Sequence, residues 1–348
     1  MAEMRLPGSV EELEALLSGP YPEDIEFARR LDGDVIILGA GGKMGPTLAM
    51  RVEQSLRLSG SKSTLYAVST FTDEGAAKRL AGAGIRLIRA DFLDDKACPA
   101  RLSELPRCPN VIFMAGMKFG ATGKENLTWA KNVYLPGRVA ENYRKSRIVV
   151  LSTGNVYPLV PVAAGGSRET DPPGPVGEYA QSCLGRERVF GYFSDRHSTG
   201  VCIIRLNYAV EARYGVLLDI ARRVQAGEPV QVGMGHVNVI WQGDANSAVF
   251  RSLALAGAPA QVLNVTGTEI LSVRTVAEEL GRRLGRRPRF EGKESETALL
   301  SDASRCRRLL AVPRVPLGWL LDLVADWVIA GRPTQAKPTK FEVRDGRF

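Results

Sequence analysis

The chain predicts an α/β fold: a doubly wound parallel sheet followed by a smaller C-terminal domain. Three observations carry the prediction. Short apolar runs alternate with stretches of helical period between residues 34 and 207. The first apolar run, DVIILG, empties into a glycine cluster, Gly39 to Gly45, that opens a helix. After about residue 207 the alternation loosens, which marks a second unit. A length of 348 residues suits this division. We therefore expect a helical extension at 1–32, the sheet domain at 33–207 and a smaller domain at 208–348. Residues 239–258 are expected to pack back on the sheet domain.

In chain order, SVEELEALLS (9–18) reads as a helix. Ser9 and Glu12 have capping-box spacing, and Val10, Leu13, Leu16 and Leu17 make one apolar face. The PYP at 20–22 is expected to end it. A strand over 34–38 leads through the glycines into a helix, and further strands are expected at 64–69, 85–89, 110–116 and around 147–153. Between them lie helices at EGAAKRLAGAG and near 126–145. A helix should start near Tyr179 and run towards Asp195, before a sixth strand at 201–207. The second unit reads as helices at 216–226, 244–256, 272–284 and 317–330 with a strand at 261–265. The polar tail KPTKFEVRDGRF is expected on the surface.

Composition narrows the function classes. Two histidines and five cysteines (Cys98, Cys108, Cys183, Cys202 and Cys306), with no CxxC pair, argue against a metal site and against a disulfide framework. Reduced thiols in a cytoplasmic protein are the expectation. No apolar run approaches the roughly 18 residues of a membrane span, and the acidic N-terminal segment lacks the pattern of a signal peptide. The net charge is +8, with nine basic and three acidic groups in 101–150. Without a basic tail or an aromatic-basic ladder, that excess points to phosphorylated small ligands rather than nucleic acid.

The glycine cluster carries the first chemistry. Glycines at a strand-to-helix turn permit close backbone approach to a diphosphate, and the helix N-terminus offers free N–H groups to it. The second strand ends in Ser69 and Thr70, without the carboxylate that would hold a ribose 2′-hydroxyl and without an arginine for a 2′-phosphate, so NAD and NADP both stay open. Asp91, after the third strand, either meets an adenine ring or caps a helix, as Asp94 also could.

Three further segments arrive in order: AGMKFG at 115–120, STGNVYP at 152–158 and EYAQSCLGRE at 178–187. Together with Gly39, Gly42 and Gly45 in GxxGxxG spacing, they resemble the extended short-chain dehydrogenase/reductase family, also called the NAD-dependent epimerase/dehydratase family. RLNY at 205–208, Asn132, IWQGDANSAV and LNVTGTEILSVRTVAEELGRRLG add to the resemblance, which covers roughly 33–330. It implies a Rossmann sheet with a C-terminal substrate-binding domain. It also implies NAD or NADP as cofactor, a sugar-like substrate and a homodimer. Cofactor contacts are implied at Gly39, Gly42, Lys43, Met44 and Gly45 in the turn, and at Ser69, Asp91 and Phe92 on the adenosine side. On the nicotinamide side they are implied at Ala115, Gly116, Lys118, Asn132, Tyr179 and Asn207. Tyr179 would be the acid/base, and Thr153 would hold the substrate oxygen beside it.

The sequence departs from the family at one position. Where the motif Tyr-x-x-x-Lys has lysine, this chain has Cys183. One helical turn after Tyr179, residue 183 is expected to face the cofactor ribose. Lowering a tyrosine pKa from about 10 to near 7 takes about 4 kcal/mol from a nearby cation, which a neutral thiol cannot supply. Three explanations stand: Lys118, or less directly Arg186, substitutes; the protein binds cofactor with weak or no turnover; or Cys183 is itself reactive. The first is preferred. On the substrate side Asn155, Arg213, Tyr214 and His236 are candidates, and Trp241 is expected in the core.

Overall fold

Helices α1 (Val10–Ser18) and α2 (Pro22–Arg30) precede strand β1 (Val35–Leu38). The computed structural model describes residues 5–93, 101–118, 122–335, 337 and 339–347. Then follow α3 (Gly45–Ser59), β2 (Leu65–Ser69), α4 (Glu74–Gly82), β3 (Arg86–Arg89) and β4 (Asn110–Phe113). One long helix comes next, made of α5 (Glu125–Trp129), a π-helical turn (Ala130–Tyr134) and α6 (Leu135–Asn142). Strand β5 (Arg147–Thr153), the short β6 (Val160–Pro161), α7 (Gly177–His197) and β7 (Val201–Leu206) complete the alternation. After residue 207 follow β8 (Ala209–Val210), α8 (Val216–Ala226), β9 (Pro229–Gln231), β10 (His236–Val237), β11 (Ile240–Trp241) and α9 (Gln242–Arg251). Next come β12 (Gln261–Val265), which pairs with β7 in the main sheet, β13 (Leu271–Ser272), α10 (Val273–Leu284), β14 (Arg289–Glu291), β15 (Thr297–Ala298), α11 (Ser304–Leu310) and α12 (Leu317–Ile329).

Seven strands form one parallel sheet in the order β12-β7-β5-β4-β1-β2-β3. The strand order reverses between β1 and β4, and the cleft outside their C-terminal ends is where ligands bind in such sheets. Strands buried on both faces need apolar residues throughout. Val35, Ile37, Ile112 and Ile204 pack with Leu48 and Val52 of α3 and Ala248 and Val249 of α9. Ile36, Val111, Phe113 and Val150 face the other way, against Val139 and Phe190. Helix α9 thus lies on the same face of the sheet as α3. A separate core joins α8, α10 and α12, and Trp241 packs there edge-to-face on Trp319 at 5.4 Å.

The N-terminal segment differs from its expectation in two ways. Ser9 Oγ does accept from the Glu12 N–H at 3.2 Å, but the Glu12 carboxylate accepts from the Gly8 N–H instead of closing the box on Ser9. Leu13 and Leu17 are fully buried while Leu16 is exposed, so the apolar stripe is narrower than its sequence suggests. Helix α1 ends at Ser18, ahead of the PYP, and Pro22 then opens α2, because its fixed φ and missing N–H suit a first helical turn. The tail also differs: Phe341 is buried in the second core, and the Arg344 guanidinium donates to Thr297 O at 2.8 Å and to Thr297 Oγ1 at 2.7 Å. Cys98 and Asp94 lie outside the described residues, as do Phe119 and Gly120. The other four cysteines are buried and unbridged. Among the described residues no cluster of His, Cys, Asp or Glu could hold a metal, and no helix is long and apolar enough to cross a membrane.

Candidate functional site

The glycine turn works by contact distance. At Gly39, φ is +94° and a Cβ would meet Ala115 N at 2.5 Å, so the turn lies directly against the end of β4. A Cβ on Gly41 would meet Ser69 Oγ at 2.6 Å, and one on Gly45 would strike Ala40 O, so α3 enters close to its strand. The bare backbone leaves a cavity of about 270 Å³ beside it, lined by Gly39, Gly41, Gly42, Ser69, Asp91 and Phe92 among others. Asp91 Oδ1 accepts from the Leu93 N–H at 3.0 Å, a local turn at the cavity edge. Arg89 lies nearby: its guanidinium donates to Thr70 O and Phe71 O at 3.1 Å each and to both Glu74 oxygens at 2.7 Å. An arginine does therefore reach the end of β2, carried there by β3, which the local sequence around Ser69 does not reveal.

A second cavity, of about 240 Å³, opens on the other side of the turn. Gly42 and Met114 line both cavities, so the two join across the sheet's switch point. Thr153, at the end of β5, and Tyr179, in the first turn of α7, face the second one. The register Thr153↔Leu206 sets Asn207 beside Gly154, where a Cβ would meet Asn207 at 3.1 Å. Lys43, Met44, Lys118, Asn155, Asn207 and Tyr214 also line it. The Lys43 ammonium spans the cavity to donate to Ala209 O at 3.1 Å and sits 3.9 Å above the Tyr214 ring. Burial pulls the Lys43 pKa down to about 7 against the counter-pull of Glu211. Burial likewise pulls Lys118 down to about 8.

The tyrosine and its neighbours form one cluster. Burial, then the Cys183 thiol, raises the Tyr179 pKa well above the usual phenol value, while Arg186 and Thr153 oppose the rise. The Lys118 ammonium stands 5.9 Å from the Tyr179 ring centre. Cys183 is absent from the lining of the second cavity; it is fully buried beside Val156, Tyr157, Tyr179 and Leu184, and burial raises its thiol pKa. The reason is the sharp turn after β5, which brings Val156 and Tyr157 over this part of α7.

Arg186 reaches further into the site than its sequence position suggests. It donates to Leu151 O at 2.6 Å and to Asn132 Oδ1 at 2.7 Å, and a Cβ on Gly116 would strike its guanidinium. Asn132 lies in the π-helical turn, fully buried. Its Oδ1 accepts from Met117 N at 2.8 Å, and its Nδ2 donates to Met117 O and Ser182 Oγ at 2.9 Å each. It shapes the 116–118 segment that carries Lys118 rather than lining either cavity. Below these, Arg205 and Glu187 form a buried pair at 2.7 Å, and Ser152 donates to Glu187 at 2.5 Å.

Two expected substrate residues stand apart. Arg213 is held by Glu211 at 3.2 Å and Glu14 at 3.0 Å, in an ion-pair network behind the cavity wall. His236 pairs with Ser272 across β10 and β13 and lines neither cavity. Two unexpected ones enter. Tyr208, with a φ of +42° that a non-glycine residue rarely adopts, lines the second cavity. Thr339 reaches it from the tail, held by Asp219 through its N–H at 2.8 Å and its hydroxyl at 2.6 Å. The RLNY segment hints at Tyr208; nothing local marks Thr339.

No family model and no curated protein matches the chain. Solved structures do. MoeE5 in complex with UDP-glucose and NAD is 22% identical over 86% of this chain and 99% of its own, with a TM-score of 0.68. The UDP-glucuronic acid 4-epimerase of Bacillus cereus in complex with NAD is 17% identical over 85% of this chain and 99% of its own, at 0.71. The Thermus thermophilus UDP-glucose 4-epimerase complex with NAD is 18% identical over 84% and 98%, at 0.68. These likenesses establish a shared Rossmann-type α/β fold.

Proposed function

We propose that the chain is an extended short-chain dehydrogenase/reductase that uses NAD for hydride transfer at a secondary alcohol or ketone of a sugar-like substrate, as an oxidoreductase or epimerase. The observation that carries this reading is the pair Thr153 and Tyr179 facing a cavity that joins the glycine cradle across Gly42 and Met114. The fit of a dinucleotide is supported by the cradle itself, where side chains on Gly39, Gly41 or Gly45 would collide with neighbouring atoms. The NAD complexes of the similar structures agree with it. NAD is favoured over NADP because Glu74 neutralises Arg89 with two 2.7 Å bonds, leaving no net positive charge for a 2′-phosphate. Glu74→Gln should therefore improve NADP binding at least fivefold relative to NAD in a fluorescence titration; an unchanged ratio would remove Arg89 from cofactor choice.

A bound nicotinamide supplies the acceptor and donor for the hydride. Thr153, held by Asn155 through bonds of 3.1 and 3.2 Å, fixes the substrate oxygen beside the Tyr179 phenol. In oxidation the carbinol C–H bond would break with its hydride leaving for the bound acceptor, while the hydroxyl proton passes to the Tyr179 phenolate and a carbonyl forms. In reduction the Tyr179 phenol would give its proton back to the carbonyl oxygen as hydride re-forms the C–H bond. Arg186 and Lys118 stand in for the lysine absent at 183: Arg186 lowers the Tyr179 pKa, and the Lys118 ammonium lies 5.9 Å from the Tyr179 ring centre. Replacing Tyr179 with Phe should cut turnover by a factor on the order of 10² to 10⁴ while NAD still binds. Turnover within threefold of the parent would remove Tyr179 from the chemistry. An intact protein that binds NAD yet turns over no polyol would instead favour a cofactor-binding protein without activity.

We further propose a homodimer through the long helix and α7. Exposed Leu127, Trp129, Tyr134 and Tyr192 on these helices supply the apolar surface.

A further inference from the structure

The wall that ends the catalytic cavity is made by the chain's own C-terminal tail. Thr339 lines the cavity and is tied to Asp219. Beyond it, Asn155 and Tyr208 continue into a groove whose other wall is Val343, Arg344 and Gly346, and the space left there is about 20 Å³. That is room for about one water molecule and nothing larger. The tail is seated rather than draped. Phe341 is buried, Arg344 holds Thr297 through two bonds, and the backbones of Gly346 and Gly177 touch, so that a Cβ on Gly177 would meet Gly346 O at 2.6 Å. Gly177 is the first residue of α7, the helix that presents Tyr179. The open volume of about 240 Å³ falls below the roughly 300–1,000 Å³ of sites that take drug-sized ligands. The nicotinamide end of a cofactor would share it.

Charge adds a second constraint. The described lining of this cavity contains Lys43 and Lys118 and no Asp, Glu or His. Glu211, which lies close enough to act on Lys43, is occupied by Arg213 and by Gln335 at 3.3 Å. Asn155, Asn207 and Thr339 offer hydrogen bonds to hydroxyl groups.

We propose that the substrate is a free, monosaccharide-sized polyhydroxy compound bearing one carboxylate or phosphate, bound by Lys43 and Lys118, and that the seated tail excludes nucleotide sugars. This rests on the hydride-transfer reading of the same site. The full chain, saturated with NAD, is offered gluconate, glucuronate, glucose 6-phosphate, glucose and UDP-glucose, and binding is read by saturation-transfer NMR. Signals are expected from at least one of the acids or from the sugar phosphate, which separates the two anion sources. None is expected from UDP-glucose, and glucose should bind at least tenfold more weakly than the best anion. Lys43→Met should lose at least tenfold in affinity for that anion, and more than it loses for NAD. A UDP-glucose signal, equal binding of glucose and the anions, no signal from any anion, or a loss in Lys43→Met that is as large for NAD would each overturn the proposal. A parent protein that fails to bind NAD in the preceding titration defeats the hydride-transfer reading itself.

Discussion

Tyr179 begins with its proton in place. Its burial and the Cys183 thiol raise its pKa, and Arg186 and the Thr153 hydroxyl offset only part of the rise. A protonated phenol can donate to a carbonyl at once, whereas oxidation of an alcohol needs the phenolate. The oxidation rate should therefore climb with pH from 7 to beyond 9, with no plateau below the ordinary phenol value of about 10. A plateau near pH 7 in the rate profile would show that the cations outweigh burial. Lys118→Ala should lower the rate most at the acid end of that range. Thr153 and Tyr179 stand out in the sequence through the resemblance of their segments to a known family, and the structure sets them at a strand end and a helix start. The facing of Cys183 is not legible there. It depends on the turn after β5 covering α7, a contact between segments that no local pattern encodes. Arg186 is undervalued for a related reason: its reach to Leu151 and Asn132 spans two other elements.

The elements owe their positions to buried charge as well as to apolar faces. Asp24 of α2 is fully buried and accepts from Arg51 of α3 at 2.6 Å and from Ser247 of α9 at 2.5 Å, with Arg251 at 3.3 Å. Three helices are thereby clamped on one face of the sheet, beneath the glycine turn that α3 begins. Asp24→Ala would leave Arg51 buried without its counter-charge and should destabilise the fold by about 3–5 kcal/mol. A shift below 1 kcal/mol in a urea titration would mean that α2 is not integral to this layer. Helix α1 is similarly bound in, since Leu13 and Leu17 belong to the core of α8, α10 and α12. The sequence shows α1 as amphipathic but cannot say which core its stripe joins. It also shows the helix around Asn132 without its π turn; a π turn re-aims a side chain, and here Asn132 is aimed at Met117.

Across the whole molecule, the exposed aromatic residues of the long helix and α7 lie on one side of the sheet domain, away from the second core. If they meet a second copy, Tyr192→Glu should convert a dimer to a monomer in sedimentation velocity while leaving the thermal midpoint of the monomer unchanged within a few degrees. A parent protein that sediments as a monomer would remove the interface. The parallel sheet, its strand positions and the glycine turn were determined by the sequence alone, because each rests on short-range periodicity or on a residue's place at the end of an element; Thr153 and Tyr179 were picked out by the resemblance of their segments to a known family. Four features were decided only by tertiary structure: the seating of the tail against Thr297 and Gly177, the span of Lys43 to Ala209, the inward turn of Cys183 and the arrival of Arg89 at the end of β2. Each depends on segments tens to hundreds of residues apart meeting in space. Their residues look ordinary one by one, and only packing gives them a shared surface.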